Sequence, residues 1–338
     1  MSSSSTGCQL KDRRWTWPNS MSKASWRLSG RTLCAATSRE RNIQMDLPSE
    51  LRAYLEDWKT EYSVAFALLG SYARGDAGPH SDLDILHFVD DDKHEADARS
   101  LLIDQGPVAI GRNGNQRALL YPRRLLVVLS TVTPSQVENW LSDPGLALNI
   151  IIGLRDGRAL WDPKSIFAAI QQRAMEFKWT PALQEKADQL AGKELVGWIE
   201  EAHKGLEGLR RNDTGRLLNA RFGLSWGLAW VMRLHKGVLA TSDNTFFSDV
   251  VNAVGPETEW AKLLHRAFGV AVGDEDDSFS LREEVTSGLL LYCETFSFLK
   301  EALPGDDFAL IEATAARIRR ELKCELASSY EDSRGPTS

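Results

Sequence analysis

The sequence predicts an α+β protein: a small mixed-sheet domain followed by an all-α helical bundle. Three observations predict it. From Met45 to about residue 164, short apolar runs bounded by Gly, Asp and Pro alternate with helical stripes. Beyond residue 164 strand signals nearly vanish and long helical patterns take over. The length, 338 residues, suits two domains. These are placed at 45–164 and 165–326, with 1–44 set apart as an extension and 327–338 as a disordered tail.

The elements follow in order. Asp46-Leu47-Pro48-Ser49 is a helix start, and Leu51, Tyr54, Leu55 and Trp58 recur as one helical stripe. Ser63 to Leu69 is an apolar run ending at Gly70, read as a buried strand; Asp82 to Val89 reads as a second. A turn at Asp90-Asp91-Asp92 leads into a short helix to about Ile103. Strand candidates follow at Arg117 to Tyr121 and Arg124 to Ser130. Thr133-Pro134 opens a helix carrying Val137, Trp140 and Leu141. Ala147 to Leu154 and Ala159-Leu160-Trp161 flank a turn at Asp156-Gly157. In the second half, helices are expected at 165–177, 182–209, 213–237, 245–254, 257–269, 281–302 and 307–325, with Asp213-Thr214-Gly215 as a stop and start.

Charge and composition exclude several classes. The chain carries 40 basic and 47 acidic residues, a net charge of -7. Residues 1–44 hold eight basic and two acidic side chains, which leaves -13 for the rest. General affinity for nucleic-acid backbone is therefore disfavoured. The N-terminal segment lacks the apolar run of a secretory signal and any amphipathic face. It reads as a start assigned too early, with Met45 as the first residue, or as an Arg/Ser-rich transit peptide. No stretch reaches the roughly 18 apolar residues of a membrane span. Cys8, Cys34, Cys293 and Cys324 form no C-x-x-C pair, which fits thiols in a reducing compartment and a cytoplasmic protein. The histidines show no zinc-ligand spacing, and Asp274-Glu275-Asp276-Asp277 lacks the pattern of a calcium loop.

Chemistry concentrates between Leu69 and Ile85. Gly70 and Ser71 lie between a strand and a segment, Tyr72-Ala73-Arg74, that can start a helix. Exposed amides at such a bend suit a phosphate, and glycine lets it approach the main chain. Asp82 and Asp84 are two apart on a strand, so both carboxylates point to one face with Cα atoms roughly 6.5–7 Å apart. Two hard oxygen donors so placed can hold Mg²⁺ against a triphosphate. Each residue also has a plainer role. Ser71 can cap a helix, Arg74 can form a salt bridge, and His80 can be an ordinary loop residue. Trp198, Trp226 and Trp230 sit in strongly apolar helices and read as core.

The segment resembles the signature of the polymerase-β-type nucleotidyltransferase superfamily. Gly70-Ser71 is followed, after a ten-residue spacer from Tyr72 to Ser81, by Asp82-Leu83-Asp84. It is most similar to the minimal and antibiotic-modifying members, and the region around Gly205 to Trp226 resembles that of fused members with a C-terminal bundle. The resemblance implies that Gly70 and Ser71, with Arg74 as a further candidate, bind the nucleotide phosphates. It implies that Asp82 and Asp84 ligate Mg²⁺, two ions in number, with an NTP as substrate. A third carboxylate is expected on a later strand. Here the sequence departs: no Asp or Glu lies between Asp104 and Glu138, and Val127, Val128 and Ser130 occupy that region.

A substitute is sought in the helices. Glu194, Trp198, Glu201 and Lys204 fall near one helical face, so Glu201 is the candidate general base and Lys204 a candidate phosphate contact. They also suit a solvated i, i+3 pair. The expected activity is transfer of a nucleoside monophosphate from an NTP to an acceptor hydroxyl, releasing pyrophosphate. The acidic balance favours a small or cationic acceptor over long nucleic acid. Rival readings are a nucleotide-binding regulatory module without turnover and an antitoxin-type enzyme that AMPylates a partner protein. The sequence names neither the acceptor nor the oligomeric state.

Overall fold

The apolar run Ser63–Leu69 forms strand β1, next to one edge strand of a six-stranded sheet. The computed structural model describes residues 51–90, 108–110, 117–120, 125–271 and 278–332. Outside them lie the N-terminal extension, the expected helix to Ile103, the acidic run at 274–277 and residues 333–338. Before β1, helix α1 spans Leu51–Trp58; after it come a one-turn helix α2, Gly70–Arg74, and strand β2, Leu83–Val89. Strands β3 (Val108–Ile110), β4 (Arg117–Leu120) and β5 (Val127–Val132) follow. Next are helices α3 (Pro134–Trp140) and α4 (Pro144–Asp156), then strand β6 (Arg158–Trp161). The sheet order is β3-β4-β5-β2-β1-β6, with β2 and β5 parallel and the other pairs antiparallel. This is the mixed sheet the sequence predicts.

Both faces of the central strands are covered, which explains why β1 reads as continuous apolar residues rather than an alternation. Phe66, Leu68, Leu83, Ile85, Val127 and Leu129 face Leu55 and Trp58 of α1 and Ala73 of α2. Ala65, Ala67, Leu86, Phe88 and Val132 face Val137 of α3, Leu154 of α4 and Phe167 and Ile170 of helix α5, Ile166–Glu176. Three polar residues, Ser63, His87 and Thr131, are buried together in the sheet. His87 is 1% exposed, stacked on Phe66, with Nε2 2.7 Å from Ser63 Oγ and Nδ1 3.3 Å from Thr131 Oγ1. Burial pushes its pKa down to about 4, because the charged ring would lose its hydration.

The helical region comprises α6 (Pro181–Gly197), α7 (Ile199–Arg211), α8 (Thr214–Lys236), α9 (Phe246–Val254), α10 (Glu259–Phe268), α11 (Leu281–Leu299) and α12 (Gly305–Asp332). Helix α8 packs against α6, α7, α9, α10 and α11. Local signals set the ends: Thr180, Asp213, Thr258 and Ser280 each accept a backbone N–H at a helix start, and Ser280 forms a capping box with Glu283.

Three boundaries differ from the sequence reading. The expected helix 182–209 is interrupted at Trp198, which ends α6 and begins α7. Gly197 weakens helical continuity there, and the indole lies against Gly223 and Gly227 of α8. Helix α12 continues to Asp332, beyond the expected end at 325, because the Gly and Pro that break helices come only at 335 and 336. The change of character near residue 164 is not a seam in packing. Residues Gln44–Ser338 form one compact unit, and α4 serves both layers: Leu154 packs under the sheet, Leu148 in the bundle core.

Candidate active site

The bend after β1 is set by one backbone angle. Gly70 has φ +66°, in the left-handed region that side chains rarely adopt. Strand pairing explains why glycine also matters sterically. Leu69 on β1 is the cross-strand partner of Asp84 on β2, so the Asp84 side chain lies over the next residue, Gly70. A Cβ added at Gly70 would stand 3.2 Å from Asp84 Cγ, with Oδ2 closer still. The bend and the second aspartate of the predicted motif are therefore in direct apposition.

Asp82 is the residue before β2. The chain reaches it through a tight turn in which Ser81 Oγ accepts the Gly78 N–H at 2.8 Å and Ser81 N–H donates to Gly78 O at 3.1 Å. The ladder begins next, with the Leu83 N–H donating to Leu126 O at 2.9 Å. Leu83 and Ile85 are buried in the sheet layer, whereas Asp82 and Asp84 are half-buried. The strand alternation gives Asp84 the face opposite Leu83 and Ile85, while Asp82 stands just before the strand.

Ser71 does not cap α2. The N-cap is Leu69, without a side-chain bond, and Ser71 is the second helical residue. Its hydroxyl has no hydrogen-bond partner among the described residues. The turn closes behind it, with Gly75 N–H and Asp76 N–H both donating to Ser71 O, at 2.9 and 3.0 Å.

Arg74 is engaged in two directions. Its Nε donates to Asp76 Oδ2 at 3.3 Å, and its Nη1 donates to Thr241 O at 3.4 Å. Thr241 lies in the loop between α8 and α9, so this bond links the bend to the helical region. No signal in the sequence marks Thr241, because the contact uses only its carbonyl and spans 167 residues. His80 is exposed on the loop between the bend and Asp82.

The missing carboxylate is now placed in register. Val128 of β5 is the parallel-strand partner of Asp84, and Ser130 that of Leu86. Both are half-buried, while Val127 and Leu129 between them are buried. β5 therefore offers a methyl-bearing and a hydroxyl side chain where the family pattern has an acid.

Glu201 and Lys204 form a pair with each other. Lys204 Nζ is 3.2 Å from Glu201 Oε1 and 2.9 Å from Glu200 Oε1. The hydrogen bond to Glu200, then that to Glu201, holds the ammonium above its ordinary range. The stem of Glu201 lies along Gly223 of α8. None of the hydrogen-bond or ion-pair partners of Glu201 and Lys204 among the described residues belongs to the 70–84 segment. Glu194, one helix earlier, has its carboxyl pushed up by burial. Trp198 is a core residue, 8% exposed, while Trp226 and Trp230 pack at the margin of the bundle core.

Two half-buried carboxylates beside a half-buried glycine bend fit a hard divalent cation in donor type. They would supply only part of its shell. Among the described residues no group of three or more His, Cys, Asp or Glu is placed to hold a metal, so the remaining ligands would be phosphate oxygens and water. No helix among the described residues is long and apolar enough to cross a membrane.

Comparison with known proteins agrees with this geometry. Residues 51–139 match the family model of the nucleotidyltransferase domain, a span that contains the bend, both aspartates and β5. Among solved structures the chain is similar to a nucleotidyltransferase-like protein from Exiguobacterium sibiricum 255-15, at 12% identity over 82% of this chain and 79% of that one. The TM-score is 0.39, and a likeness at that level carries no argument about the site. No curated protein matches the chain. With bend, acids and sheet order in place, residues 51–139 match a nucleotidyltransferase domain, and a helical region follows them.

Proposed function

We propose that this protein transfers a nucleoside monophosphate from an NTP to the hydroxyl of a small acceptor. The observation that carries the reading is the Asp84 carboxylate lying over Gly70, which joins an acidic side chain to the glycine bend. The amides at Gly70 and Ser71 and the free Ser71 hydroxyl would bind the β- and γ-phosphates. Asp82 and Asp84 would hold Mg²⁺, which when bound neutralises triphosphate charge. In the reaction the acceptor oxygen forms a bond to the α-phosphorus as the bond from that phosphorus to the bridging oxygen breaks. Pyrophosphate leaves, and the hydroxyl proton passes to solvent or a base. The chain's contribution is positioning and charge complementarity.

A second reading is a nucleotide-binding module without turnover, favoured by Val128 standing where Asp84 would meet a third carboxylate. One experiment separates them. The protein is incubated with Mg²⁺ and each labelled NTP alongside pools of small alcohols, RNA and cell protein. Transfer to the small-alcohol pool, lost in Asp82→Asn and Asp84→Asn, supports the proposal. Transfer to protein or RNA moves the acceptor to that class. Nucleotide binding with no transfer to any pool supports the module.

A further inference from the structure

We propose that Arg233 is a positioning residue for the nucleotide site, acting through the 237–245 loop that meets Arg74 of the bend. The inference rests on the reading of Gly70 to Asp84 as that site. Arg233 lies near the end of α8 and is 4% exposed. Its guanidinium reaches two distant segments. Nη2 donates to Leu148 O at 2.7 Å and Nη1 to Asn149 Oδ1 at 2.8 Å, both on α4; Nε donates to Val238 O at 3.1 Å, in the loop. The guanidinium carbon is 5.3 Å from the Trp230 ring centroid and 5.5 Å from that of Phe246.

None of these acceptors is charged. Asp243 and Asp249 act on Arg233 only through space, and burial pushes its pKa down to about 10. A buried cation among neutral acceptors is an expensive way to fill space, and apolar side chains of similar volume are often at least as stabilising. What an arginine adds is a rigid fork that fixes several acceptors in one geometry.

Both arms of that fork lead to the bend. On one side, the loop continues from Val238 to Thr241, whose carbonyl accepts from Arg74. Asp249 of α9 closes this loop, accepting from Thr245 Oγ1 at 2.7 Å and from Thr241 N–H at 3.4 Å. On the other side, α4 packs against α2, the turn that contains Gly70, Ser71 and Arg74. The helical region thus sets the frame in which the phosphate-binding turn is held. Small misplacements of such a frame weaken a site by large factors.

The test uses the full chain and calorimetric binding of ATP, GTP, CTP and UTP, each with Mg²⁺. Variants are Arg233→Lys, Asp249→Asn, Arg74→Ala and the two doubles that combine Arg74→Ala with each of the others. Wild type is expected to bind at least one nucleotide, and Asp82→Asn to lose it. Arg233→Lys and Asp249→Asn should each weaken affinity about tenfold with unchanged circular dichroism, as expected for one mispositioned charged hydrogen bond. In the Arg74→Ala background Asp249→Asn should weaken it no further, since it acts through Arg74, and Arg233→Lys should weaken it less than in the wild type, since only its α4 arm remains. A purely structural role would lower thermal stability and leave the affinity of the folded protein unchanged, which overturns the inference, as does strict additivity with Arg74→Ala. If Arg233→Lys does not fold, Asp249→Asn decides by the same criteria. A wild type that binds no nucleotide overturns the site reading itself, and the inference with it.

Discussion

Gly70→Ala is the sharpest perturbation of the site, because two separate effects meet at one Cβ. At φ +66° an L side chain costs about 1–2 kcal/mol. The added methyl would also stand 3.2 Å from Asp84 Cγ and closer to Oδ2, so the carboxylate must leave its rotamer, at about 0.5–1.5 kcal/mol. The total is roughly 2–3 kcal/mol of stability. Gly75→Ala is the control. Its φ is +85°, but nothing lies within 4 Å of an added Cβ, so only the backbone cost of about 1–2 kcal/mol applies. Urea denaturation reads the stability difference, and NTP binding with Mg²⁺ reads the site. Displacing Asp84 should reduce transfer on the order of a hundredfold in Gly70→Ala, while Gly75→Ala should stay close to wild type. Equal destabilisation of the two variants, with nucleotide binding intact in Gly70→Ala, would refute the apposition of Asp84 and the bend.

Four further outcomes are expected. His87 titrates near 6.5 when unfolded and near about 4 when folded. The unfolded chain therefore takes up the extra proton between these values, and stability that is full above pH 6.5 declines toward pH 4 by about 3 kcal/mol. Urea midpoints for His87→Gln should lose most of that slope, and an unchanged slope would show that another group sets it. Glu201→Gln should leave transfer within about threefold, because Glu201 is engaged in an ion pair with Lys204; loss of turnover on the scale of a general base, about a hundredfold or more, would assign it that role. Gly227→Ala places a Cβ 2.6 Å from Trp198 Cδ2 and should cost about 1–3 kcal/mol by overpacking, read by denaturation. Val128→Asp puts a carboxylate in register with Asp84 and should tighten Mn²⁺-dependent nucleotide binding. Weaker binding in a folded variant would mean that the β5 position does not face the metal.

Much of the sheet was legible because its signals are local. Val64–Leu69 is apolar throughout since both faces are covered, and Gly70 ends it where the chain must turn with positive φ. The placing of Asp84 on the face opposite Leu83 and Ile85 was legible, because pleating is a property of the strand alone, although Asp82 falls just before the strand. Helix starts at Thr133, Asp213 and Ser280 were readable for the same reason: a cap is satisfied within three residues. The break at Trp198 was not readable. It depends on two glycines of another helix that make room for an indole.

The sequence by itself determined the strand Ser63–Leu69, the bend and the spacing of the two aspartates, since each follows from backbone preferences and side-chain period over fewer than twenty residues. Only the tertiary structure decided that Asp84 covers Gly70, that Val128 faces it from β5, and that Arg74 reaches Thr241. Those relations are matters of register and packing between segments far apart in the chain, and no local pattern encodes which distant residue will arrive.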